Sequence, residues 1–72
     1  MSRFPIRLDT VKDVQDFVNI AQGVNGYVHL EDGEGMTVNG KSLMGCLYSL
    51  EFRHLYCTSE EELAGKMSKF IR

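Results

Sequence analysis

Hydrophobic residues in this chain switch repeatedly between two spacings, every second residue and every third or fourth, within 72 residues. Alternation belongs to a strand with one buried face and the longer spacing to a helix, so the rhythm dictates a mixed fold of short elements. Phe4, Ile6 and Leu8 alternate with Pro5 and Arg7, as in a half-buried strand. Pro5 has no amide to donate, which places this strand at a sheet edge or begins it there. Thr10 suits a helix N-cap, with Asp13 complementing the first turn. Val11, Val14, Phe17, Val18 and Ala21 then fall on one helical face, and Gly23 stands where a left-handed C-cap residue is favoured.

Tyr27 to Glu31 and Met36 to Val38 alternate again around Asp32-Gly33-Glu34-Gly35, which reads as a β-hairpin. Asn39-Gly40 is a turn, and Ser42 is a good cap for a short helix with Leu43, Cys46, Leu47 and Leu50 on one face. His54 to Thr58 reads as a fourth strand, with Leu55 and Cys57 on one side. Ser59 answered by Glu62 has the form of a capping box, ahead of Leu63, Met67, Phe70 and Ile71 as the buried stripe of a third helix. The expected order is β-α-β-β-α-β-α, an α+β fold with three helices on one face of a four-stranded antiparallel sheet. Phe17, Leu47, Leu50, Leu63 and Phe70 are the expected core.

Seventy-two residues make one domain, 1–72, whose thin core leaves little room for a deep catalytic cavity. A net charge of −2 with scattered Lys and Arg gives no footprint for nucleic acid or an anionic membrane. No apolar run approaches the length of a membrane span, and no signal-peptide core follows Met1. Two cysteines are too few for a disulfide scaffold, so the expected setting is cytoplasmic with reduced thiols. Cys46, Cys57, His29 and His54 match no zinc spacing, and no metal or cofactor is expected. The Glu60-Glu61-Glu62 run reads as a helix start, and the Asp32 loop lacks an EF-hand pattern.

The run Val38-Asn39-Gly40-Lys41-Ser42-Leu43-Met44-Gly45 resembles the entry into the second helix of HPr, the phosphocarrier family of the bacterial sugar phosphotransferase system. Tyr48-Ser49-Leu50 continues the likeness, and Phe17-Val18-Asn19-Ile20-Ala21-Gln22 is similar to the end of that family's first helix. The likeness covers nearly the whole chain in element order, while its sharp motif spans Val38 to Gly45. It implies a spatial strand order of 1-4-2-3. The family carries a phosphate on a histidine before the first helix, followed by an arginine. Here Thr10 stands about where the histidine belongs and Lys12 where the arginine does, between Asp9 and Asp13. A threonine phosphate ester is too inert for reversible relay, and the two carboxylates repel an incoming phosphoryl group.

The resemblance makes Ser42 a candidate for regulatory phosphorylation, with Lys41, Leu43, Met44, Gly45 and Leu47 as a partner-docking surface. Ser42 is equally well read as a helix cap, and Leu43, Leu47 and Gly45 as packing. The expected function is a non-catalytic HPr-like regulator or adaptor acting through protein contacts. Its expected partner is a transcription regulator, a serine kinase or a phosphotransferase-system enzyme. Two alternatives are a phosphocarrier with an atypical acceptor and an interaction module whose phosphorylation sites are both silent.

Overall fold

A computed structural model describes residues 2–71. Its elements are β1 (Ser2–Pro5), α1 (Val11–Gln22), β2 (Val28–Glu31), β3 (Thr37–Asn39), α2 (Leu43–Tyr48) and β4 (Tyr56–Ser59). Single 3-10 turns follow at Ser49–Glu51 and Ser68–Phe70. The four strands form one antiparallel sheet in the order β1-β4-β2-β3, so β1, with Pro5, is an edge. No helix among the described residues is long and apolar enough to cross a membrane.

The strand register aligns Phe4, Cys57, Leu30 and Val38 in one row across the sheet, with Val28 and Ser59 in the next. Val14, Phe17, Val18 and Ala21 of α1 join this face in a single core, where the Phe17 and Phe70 rings meet edge to face at 5.8 Å. The opposite face carries Arg3, Tyr56, His29 and Glu31. There Arg3 reaches across β4 to Glu31 at 2.8 Å, with its guanidinium 4.2 Å from the centre of the Tyr56 ring.

Both helix starts follow the sequence. Thr10 Oγ1 accepts from the Asp13 amide at 3.1 Å, and Ser42 Oγ accepts from the Gly45 amide at 3.2 Å. The hairpin loop is held by Asp32, whose Oδ1 accepts from the amides of Glu34 and Met36 at 2.7 and 3.0 Å. Gly33 and Gly35 supply the positive φ angles this loop needs.

Several expectations are corrected. Among the described residues the third helix is absent, leaving two α-helices. Ser59 is the last residue of β4, paired with both Ser2 and Val28, and its hydroxyl donates to the Glu61 carbonyl instead of capping a helix. Glu62 does not reach back either; it accepts from the Ser2 hydroxyl at 3.1 Å. Gly65 then interrupts a segment already too short to be a stable helix. What survives is one turn, Met67 N–H to the Leu63 carbonyl at 3.0 Å, which still buries Leu63, Met67 and Phe70. Ile71 is exposed, bridging to Ile6 at the edge of the sheet.

Gly23 is not left-handed: its φ is −87°, and its amide closes α1 on the carbonyls of Ile20 and Ala21. Val11 faces solvent in the first turn. Leu50 is exposed and Leu47 only half-buried. α2 stops at Tyr48, and the tighter 3-10 turn that follows advances the chain faster per residue. That change of phase turns Ser49 inward and Leu50 outward.

Phe17→Ala should therefore cost about 3–5 kcal/mol, whereas Leu50→Ala, at a site 37% exposed, should cost about 1 kcal/mol. Urea denaturation of both variants checks this, and equal losses would contradict the outward placement of Leu50.

Candidate functional site

The loop from Asn39 to Ser42 is built by its own side chains. Asn39 Oδ1 accepts from the Lys41 amide at 2.9 Å, and the Asn39 carbonyl accepts from the Ser42 amide at 3.1 Å. The Gly40 amide donates to the Val28 carbonyl at 2.6 Å, extending the β2–β3 ladder. A Cβ at Gly40 would lie 2.8–2.9 Å from Val28 Cγ1 and its carbonyl oxygen, so the approach requires glycine although φ is not positive. Lys41 turns inward: its Nζ donates to the Val24 carbonyl at 2.6 Å, and its own carbonyl accepts from Gln22 Nε2 at 3.3 Å.

Of the expected docking residues, Leu43 and Met44 point outward, 42% and 82% exposed. Tyr48 joins them at 51% exposure and packs edge to face with Phe52 at 5.8 Å. Tyr48 is four residues after Met44, the helical spacing that could have revealed it. Leu47 packs against the core instead, and Gly45 faces β3, where a Cβ would be 3.4–3.5 Å from Asn39 and Val38. Lys41 is committed to the α1–β2 loop. The exposed apolar face is therefore Leu43, Met44 and Tyr48, beside a cleft of about 270 Å³ between α1 and α2 lined by Gln15, Val18, Asn19, Gln22 and Leu43.

The site at the start of α1 is arranged differently from a phosphate cradle. The Thr10 hydroxyl caps the helix, and Asp13 Oδ2 accepts from the Asp9 amide at 3.0 Å. Lys12 lies along the helix with its Nζ 3.2 Å from Asp16, which also binds Lys69 at 3.1 Å. The hydrogen bond from Lys69, followed by that from Lys12, holds the Asp16 carboxyl below the usual carboxylate range. Thr10 and Lys12 therefore do not converge on a common point.

A groove of about 310 Å³ lies between the Ile6–Asp9 connection and the segment from Ser49 to Leu55. Arg7 and Arg53 line it from opposite walls, and Arg7 Nε donates to Asp9 Oδ1 at 3.2 Å. Neither arginine was expected at a site, because the walls come from distant parts of the chain.

The possible metal ligands are scattered. His29 stacks on Tyr27 at 4.8 Å, His54 is exposed, and Cys46 and Cys57 are buried free thiols. The Cys46 thiol donates to the Gly40 and Asn39 carbonyls at 3.5 and 3.6 Å. No group of three or more His, Cys, Asp or Glu side chains among the described residues is arranged to hold a metal ion.

Comparison with protein-family models, with curated proteins and with solved structures finds no match.

Burial pushes the Cys46 thiol up to about 11, and burial with the neighbouring Cys46 pushes Cys57 up to about 12. Both folded-state values lie above the unfolded one, so the folded state favours the protonated thiols. Their contribution to stability is complete below about pH 9 and is lost as pH rises through 11 to 12. Denaturation midpoints should fall across that window in wild type and fall less in Cys46→Ala/Cys57→Ala. At pH 8, iodoacetamide should label either thiol only through unfolding; labelling at the rate of a free thiol would contradict their burial.

Proposed function

We propose that this chain is an HPr-like regulator or adaptor, related to the sugar phosphotransferase system and acting in the cytoplasm through protein contacts. The observation that carries this reading is the outward apolar face of α2, with Met44 largely exposed and the half-exposed Leu43 and Tyr48 beside it. Such a cluster costs solubility, and methionine and tyrosine are side chains that suit contact surfaces. The α1–α2 cleft next to Leu43 offers a partner shape as well as apolar area.

Ser42 is the proposed switch. Its oxygen already faces the Gly45 amide, so a phosphate there would keep a backbone donor while adding about −2 charge at the edge of the apolar face. Because Lys41 Nζ is held at the Val24 carbonyl, it is not placed to pair directly with that phosphate, whose oxygens would be available to cations of a partner. A transcription regulator or a phosphotransferase-system enzyme with a basic rim around an apolar pocket fits this chemistry, and a serine kinase would install the group.

Two features weigh against a phosphoryl carrier. The Thr10 hydroxyl is engaged in capping, and Lys12 is paired with Asp16 instead of facing Thr10. Incubation with phosphoenolpyruvate and enzyme I should leave the chain unlabelled; an acid-labile, base-stable phosphoprotein would overturn this part of the reading.

Ser42→Ala should cost about 1 kcal/mol through the lost cap, with or without a switch. Met44→Glu should keep the wild-type melting temperature and lose the partners that wild type captures from its host. Ser42→Asp should alter the set of partners. Identical captured sets for wild type, Ser42→Asp and Met44→Glu would contradict the docking role.

A further inference from the structure

The groove between the Ile6–Asp9 connection and the Ser49–Leu55 segment adjoins the α1 cap at Asp9 and the α2 face at Phe52 without including Thr10, Leu43, Met44 or Tyr48, and we propose that it binds a small carboxylate through Arg53. The proposal is independent of the docking role of α2. Its floor is fixed by buried Ile6, Ser49 and Leu55, with the Ile6 amide donating to the Leu55 carbonyl at 3.0 Å. The floor is therefore set by backbone pairing, while Arg7, Asp9, Leu50 and Arg53 form an exposed rim.

Most cations of the chain are already committed. Arg3 holds Glu31, Lys12 and Lys69 share Asp16, Lys41 binds the Val24 carbonyl, and Arg7 binds Asp9. Arg53 lines the groove and has no hydrogen-bond or ion-pair partner among the described residues. A guanidinium presents a planar fork of donors that fits a carboxylate with two parallel hydrogen bonds.

Charge selects the ligand class. Two arginines against Asp9 leave one positive charge in the groove, which a single carboxylate neutralises. A dianionic phosphate would bring a second, uncompensated negative charge towards Asp9. The volume of about 310 Å³ is at the small end of ligand pockets and suits a metabolite-sized acid.

The test is an amide NMR titration of the full chain at low ionic strength with sodium acetate. Inorganic phosphate forms a second arm, and sodium chloride controls for ionic strength. Saturable shifts at residues 6–9 and 49–55 are expected with acetate, at least fivefold weaker in Arg53→Gln and unchanged in Lys66→Gln, which removes an exposed cation outside the groove. Tighter saturation with phosphate than with acetate would overturn the carboxylate assignment. Shifts that match those of chloride, or that persist undiminished in Arg53→Gln, would overturn the site itself.

Discussion

The close approach of Gly40 to Val28 is the contact on which the rest of the structure depends. It extends the β2–β3 ladder by one hydrogen bond of 2.6 Å at the point where the chain must leave the sheet for α2. Every neighbour then uses the position it creates. Lys41 reaches from there to the Val24 carbonyl and ties down the end of α1, Ser42 caps α2, and the Cys46 thiol donates back to the Gly40 carbonyl. Three elements are thus locked together by four consecutive residues, Asn39 to Ser42.

That arrangement gives a physical meaning to the stretch from Val38 to Gly45, on which the proposed kinship with HPr rests. Glycine is demanded by space, lysine by an orphan carbonyl and serine by an orphan amide, so much of the motif is accounted for by folding. Leu43 and Met44 are the motif residues that the fold does not consume, since both point to solvent. The proposed docking role therefore rests on what the junction presents and not on the junction itself. The same logic separates Leu47 and Gly45, which pack inward, from the outward set.

Features governed by local rules were legible in the sequence: the alternating strands, the Thr10 and Ser42 caps, the edge position of Pro5 and most of the α1 stripe. The third helix was not, because its capping signal at Ser59 was overridden by strand pairing on both sides, a tertiary effect that no local pattern reports. Leu50 was misplaced for a smaller reason, a 3-10 turn that broke the helical phase. At the candidate sites, the outward Leu43 and Met44 were expected from the resemblance alone, since helical spacing put Leu43 on the buried face with Cys46 and Leu47. The inward turn of Lys41 could not be read from the sequence, nor could the meeting of Arg7 with Arg53 across the groove, since both depend on contacts between distant segments.

The most direct measurement of the central constraint is the stability of Gly40→Ala. The added Cβ would lie 2.8 Å from Val28 Cγ1 and 2.9 Å from its carbonyl, in a central strand that cannot yield without disturbing β4. Urea denaturation should show a loss of about 1–3 kcal/mol, as for other overpacked sites. A stability within about 0.5 kcal/mol of wild type, the range of an ordinary surface substitution, would contradict the account that this junction holds the fold together.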